Sequence, residues 1–213
     1  MKLFEKVYPA NTEFYHGSWD TIEKIREDGN IFVTDDLKYA IVYSRMYNRS
    51  RFDDKVLASA SGAGFIYTLR LKKDLDIFDA NNEDDLAALK AVYDVDPTQE
   101  KILKEHDFLD LEHGGAIKRE ELINILKELG FDGFYNNEEV GGTITDVKRK
   151  TDIIDTDDKG GYRYFDGNFE AYGSGICIFD ASNIEFIKAA TTSEVLHDNN
   201  LKVEDCVTVF NLR

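Results

Sequence analysis

The order of its segments constrains this chain most. Strand-like sequence stands at both ends, and a helical stretch fills the middle. "NIFVT" (30–34), "FIYTLRL" (65–71) and "LDIFD" (75–79) are rich in β-branched and aromatic residues and read as strands. From 83 to 129, the helix formers of "EDDLAALKAVY", "PTQEKILKEHDFL" and "KREELINILKELG" recur at helical spacing, and Pro97 suits a first turn. After Gly130 the pattern returns to strands in "DGFYN", "GICIFD", "IEFIKAA" and "CVTVFNL". A doubly wound sheet needs strands and helices in alternation, so segregated blocks predict an α+β fold instead. The whole of 1–213 reads as one domain carrying a helical insert at 83–129.

Shorter signals fill in the ends. Residues 13–17 predict a strand, and Asp20 predicts the cap of a helix, "TIEKIRED", that stops at Gly29. Asp35 is the expected cap of "DLKYAIVYSRMY", where Leu37, Tyr39, Ala40, Tyr43, Met46 and Tyr47 fall on helical spacing. "ASASGAG" (58–64) reads as a flexible connection. Residues 137–175 hold many Gly, Asp and Asn with scattered apolar side chains, and predict a long irregular region of the functional kind.

Composition narrows the function. With 42% hydrophobic residues the chain can form a core without metals or disulfides. No run of about 18 apolar residues is present, and "MKLFEKVYPANTEF" lacks the long apolar segment of a secretory signal. A cytoplasmic protein is expected, with Cys177 and Cys206 as reduced, small core residues. The net charge of −16 opposes phosphate polymers, so nucleic acid is not the expected partner; a target protein with a basic surface is. "DTDDKGG" (155–161) lacks the ligand pattern of a calcium loop, and His106 and His113 do not share a helix face as zinc ligands would. No metal site is predicted.

One constellation carries chemistry. "FYHGSW" (14–19) sets a histidine, a glycine and a serine on the first strand. "GNIFVTDDLKYAIVYS" (29–44), "LKELGFDGFYNNEE" (126–139) and "GICIFDASNIEFI" (175–187) follow in that order. This series resembles the ADP-ribosyltransferase superfamily, in its diphtheria-toxin and poly-ADP-ribose-polymerase branch. The likeness covers 14–44 and 126–187, leaving out the helical insert and the C-terminal tail. It implies a split β-sheet core, NAD as the bound cofactor, and transfer of ADP-ribose to a macromolecule. His16, Gly17 and Ser18 match the strand that opens the NAD site, and Phe32, Thr34, Asp35 and Tyr43 match the nicotinamide wall.

The chemistry such a site needs can be stated from the residues. A glycine at 17 lets backbone N–H and C=O approach a carboxamide, and the Ser18 hydroxyl can add a bond. Tyr43 with Phe32 or Tyr39 offers aromatic faces to a pyridinium. His16 is expected to donate to a ribose hydroxyl. Arg45, with Arg49 and Arg51, supplies cations for the diphosphate. Breaking the glycosidic bond needs a carboxylate near the ribose. The family places it at the start of the last core strand, where this chain has Gly175. "GFDGFYNNEE" is similar to small phage-type transferases, anti-CRISPR ones among them, that carry their acid just after this strand. Glu138 is therefore the first candidate, Glu139 the second and Glu170, in "NFEAYGSG", the third. Two other readings stay open: a catalytically inactive binding module that keeps the fold, and an acidic inhibitor that acts through charge.

Overall fold

Two sheets meet at one short strand. The structure, a computed structural model, describes residues 7–18, 21–22, 29–46, 64–106, 117–144, 153–156, 162–164, 167–201, 206 and 208–210. The strands are β1 (Val7–Tyr8), β2 (Glu13–Ser18), β3 (Ile31–Val33), β4 (Phe65–Leu71), β5 (Leu75–Phe78), β6 (Gly133–Ile144), β7 (Ile153–Thr156), β8 (Tyr162–Tyr164), β9 (Gly167–Ile178), β10 (Ile184–Thr191) and β11 (Thr208–Phe210). The helices are α1 (Leu37–Met46), α2 (Glu83–Val92), α3 (Pro97–Lys104), α4 (Arg119–Glu128) and α5 (Thr192–Asp198). The six-stranded sheet runs β1-β5-β6-β9-β11, with β3 also paired to β9; a second sheet runs β10-β4-β2, and β7 pairs with β8. This is a mixed α+β architecture, as the segregated blocks predict.

The helical insert has a topological reason. β5 and β6 are parallel neighbours, and a parallel pair needs a crossover of a dozen or more residues. Helices α2 to α4 supply it. Their ends are set by local chemistry: Asn82 caps α2, and Asp96 with Gln99 forms a capping box around Pro97 at the start of α3. Helix α4 stops at Gly130, whose φ of 96° suits glycine, while Gly130 and Phe131 N–H groups close back on Lys127 and Leu126.

Strand alternation divides the core in two. Tyr135, Ile176 and Ile178 face the second sheet and pack with Phe14, Tyr67, Leu69 and Ile77. Phe134, Cys177 and Phe179 face the helices and pack with Leu89, Leu103, Leu122 and Leu126. Cys177 is buried in this core, which pushes its thiol up to about 12. Cys206 is partly buried and packs beside α1 and α5, just before β11.

Two expectations need correction. Residues 137–175 are not one irregular stretch, because β6 and β9 are paired without a break from Gly133–Ile178 to Ile144–Gly167. Their glycines and asparagines lower intrinsic strand preference, but a long cross-strand register decides the outcome. The cap of α1 is Asp36, not Asp35: its Oδ1 accepts the Lys38 and Tyr39 N–H groups at 2.8 and 3.3 Å. Asp36 is itself oriented by its own N–H, which donates to Thr34 Oγ1 at 3.1 Å. Of the expected helix after Asp20, Thr21 and Ile22 are described and are not helical; the rest of it, Tyr47, the 58–64 connection up to Ala63 and His113 lie outside the described residues. Among the described residues no helix is long and apolar enough to cross a membrane.

Candidate functional site

A pocket opens where β3 leaves β9 to join β2. Ile31, Phe32 and Val33 pair with β9, but the next residue, Thr34, exchanges both backbone hydrogen bonds with Tyr15 of β2 at 2.7 and 2.9 Å. This crossing of one strand between two sheets makes a fork. Tyr15, His16, Gly17, Phe32, Val33, Thr34, Tyr39, Ala40, Tyr43, Asn136 and Gly175 line it, enclosing about 370 Å³ with the mouth included. Much of that space is open to solvent, so the fork is a half-open cleft rather than an enclosed cavity.

The backbone of Gly17 is aimed by its strand. Because Tyr15 bonds Thr34, its N–H and C=O face away from β4, and alternation turns those of Gly17 the same way, toward the fork. The glycine is needed for a second reason. A Cβ there would lie 2.1 Å from the Ala40 carbonyl oxygen and 2.9 Å from the Ser44 N, so α1 sits directly on β2. Helix α1 is fixed further along by the buried Ser44 and Thr192 hydroxyls, 2.9 Å apart. This seating brings Tyr39 and Tyr43 to the pocket, their ring centroids 6.4 Å apart and tilted by 50°.

His16 is held from one side. Its Nδ1 lies 2.7 Å from the Phe32 carbonyl oxygen, which can only accept, so Nδ1 carries the proton. Burial pushes the pKa of His16 below its ordinary 6.5, with the Phe32 bond opposing the shift. The ring is then neutral near pH 7, and Nε2 is an acceptor. This reverses the expected donor role: a ribose hydroxyl would donate to His16. The lowered pKa also makes a stability prediction. An unfolded chain takes up the proton first as pH falls, so His16 contributes stability above about pH 6.5 that is lost as pH drops toward the folded value. Urea midpoints for wild type and His16→Asn should therefore differ more at about pH 7.5 than at about 5.5. A constant difference would show that His16 titrates alike in both states.

The other candidates divide by position. Ser18 ends β2 and stands outside the pocket lining. Arg45 belongs to α1, two residues past Tyr43, but its side chain lies outside the description, as do Arg49 and Arg51. Asp35 is exposed beside the fork; partial desolvation, with Asp36 alongside, raises its carboxyl above the ordinary range.

The three candidate acids are described through their backbone alone. Glu138 pairs with Gly173, Glu139 with Tyr172 and Glu170 with Gly141. Asn136 and its partner Gly175 line the pocket, and in unbroken alternation position 138 shares their sheet face. Positions 139 and 170 fall on the opposite face, with Tyr135 and Ile176. Gly175 is closed to any side chain, since a Cβ would sit 2.8 Å from the Val33 carbonyl oxygen.

Tyr15, Val33, Ala40 and Asn136 line the pocket without having been named as candidates, and Asn136 is the one whose chemistry stands out. It is only 8% exposed, and it interrupts the apolar run Phe134-Tyr135 in mid-strand. A polar residue directly after two buried aromatic ones was the available signal. Searches of family models, curated proteins and solved structures find no match to this chain.

Proposed function

We propose that the pocket holds the nicotinamide end of NAD and that the protein transfers ADP-ribose to a macromolecular target, most simply a protein with a basic surface. One observation carries this reading. Of the residues named by the resemblance, His16, Gly17, Phe32, Thr34, Tyr43 and the distant Gly175 line one pocket, with Tyr39 beside them, while Ser18 and Asp35 stand outside its lining. The fold assignment to an ADP-ribosyltransferase-like split sheet rests on the same convergence at the β2–β3–β9 fork.

The residues present suit that ligand. Gly17 offers an N–H and a C=O on one strand edge, the donor and acceptor that a carboxamide needs. Tyr43 is the partly exposed ring at the mouth, able to stack on a flat cation, whereas Tyr39 is 7% exposed and acts more as its backing. His16 Nε2 accepts from a sugar hydroxyl. The cleft is half open, and the diphosphate would lie outside it, toward the end of α1 and Arg45. When NAD is bound, positive charge develops on its ribose as the glycosidic bond breaks, and Glu138 is the acid whose strand position suits stabilising it.

Calorimetry with NAD tests the binding step, and a radiolabelled NAD incubation with cell lysate tests transfer. Wild type is expected to bind, and Tyr43→Ala to weaken affinity about tenfold, the loss of roughly one aromatic stacking contact. Unchanged affinity in Tyr43→Ala would remove that ring from the site. A second reading has its own support. The closed position at Gly175 cannot carry the family's acid, which favours a nucleotide-binding module without transfer. NAD binding with no labelled product in any lysate, and no release of nicotinamide, would select that reading.

A further inference from the structure

The helical insert lies outside the resemblance, yet it ends on the strand that carries Glu138. Pairing between β5 and β6 is confined to Gly133 and Phe134. Beyond them the same edge of β6 is met by the end of α3. The Asn137 N–H donates to the His106 carbonyl at 2.8 Å, and Asn137 Nδ2 donates to the Glu105 carbonyl at 2.9 Å. Asn137 stands between pocket-lining Asn136 and Glu138, about 3.3 Å along the strand from each.

His106 presents its carbonyl from a left-handed backbone, with φ of 57°. A residue other than glycine pays conformational strain there, and such strain persists only when the surroundings fix it. They do so here. His106 is 2% exposed, its Nε2 lies 2.9 Å from Asp79 Oδ1, and its ring stands 5.6 Å from that of Tyr135. Asp79 is held in turn: it accepts the Asn81 N–H at 2.8 Å, and its own N–H donates to the buried Asp85 carboxylate at 3.2 Å. The turn after β5, the end of α3 and the middle of β6 are thus tied through one histidine.

We propose that His106 is a positioning residue that clasps β6 at Asn137 and so sets the place of Glu138 beside the pocket. The inference rests on Glu138 acting in the reaction proposed above. It gives the insert a part in the chemistry without contact with substrate.

Three measurements on the full chain test it: amide hydrogen exchange at Asn137, NAD affinity, and NAD turnover read as nicotinamide release. His106→Gly is the main variant, because glycine adopts the same φ without strain and the fold should survive. Exchange at Asn137 should rise about tenfold, and kcat should fall about tenfold or more, since displacements near 1 Å at a reacting group can cost up to about 100-fold. The NAD Kd should stay within about twofold. His106→Gln, whose side-chain amide nitrogen can stand where Nε2 does and donate to Asp79, should recover part of kcat. Unaltered exchange at Asn137 would overturn the clasp. Raised exchange with wild-type kcat would overturn the positioning role, as would kcat and affinity falling together. If wild type releases no nicotinamide, the reading of Glu138 fails and the role falls with it, while the exchange result, which needs no NAD, separately judges the clasp.

Discussion

Glu138→Gln is expected to lower NAD turnover by about 10²- to 10³-fold while leaving NAD affinity within about twofold. The carboxylate is asked to act on charge that exists only as the glycosidic bond breaks, so removing its charge costs the transition state and not the ground state. The glutamine keeps size and hydrogen-bonding capacity, which confines the change to charge. Strand alternation makes the companion variants informative. Positions 139 and 170 lie on the sheet face away from Asn136 and Gly175, so Glu139→Gln and Glu170→Gln should each retain most of the turnover. Nicotinamide release and calorimetric Kd, measured on the same preparations, separate the two effects. Full turnover in Glu138→Gln, with a large loss in either companion, would show that the acid reaches the ribose from the other face.

Much of this arrangement was legible because it depends on local chemistry. The first-turn signal of Pro97 and the break at Gly130 act within one turn of helix, and they mark helix ends where the structure has them. The pocket lining from β2, β3 and α1 falls within residues 15–43, a span short enough for the resemblance to draw His16, Gly17, Phe32, Thr34 and Tyr43 from it. What sequence could not supply was register. Residues 137–144 and 167–175 look irregular one at a time, and become strands only through pairing with each other. The same is true of Asn136, whose place at the pocket follows from its pairing with Gly175 across more than thirty intervening residues, a separation no local pattern encodes. Asp35 and Asp36 fail differently. Either can cap the helix, and the choice is made by the Thr34 hydroxyl, which depends on the β2–β3 bridge. The proton on His16 likewise needed the Phe32 carbonyl, sixteen residues away.

Gly17→Ala is the substitution expected to damage the folded state most, and its effect must be distinguished from ligand loss. A methyl group at position 17 would meet the Ala40 carbonyl oxygen at 2.1 Å and the Ser44 N at 2.9 Å. Both are backbone atoms of a helix, so no rotamer change can relieve the clash; α1 must move outward by about 1 Å or more to restore ordinary contact. Overpacking of this kind costs about 1–3 kcal/mol, and rigid neighbours place the cost near 3 kcal/mol or above. For a chain of this size that corresponds to a fall in Tm of roughly 6–12 °C. Moving α1 also moves Tyr39 and Tyr43, so NAD affinity should fall even though the Gly17 N–H and C=O are still present. The pairing with Tyr43→Ala resolves the cause, because that variant removes a pocket ring that is partly exposed and should weaken NAD with little change in Tm. Gly175→Ala provides a milder comparison, with one backbone contact at 2.8 Å in place of two at 2.1 and 2.9 Å. An unchanged Tm in Gly17→Ala would mean that α1 is not seated on β2 as described, and the pocket wall formed by its tyrosines would fall with that seating.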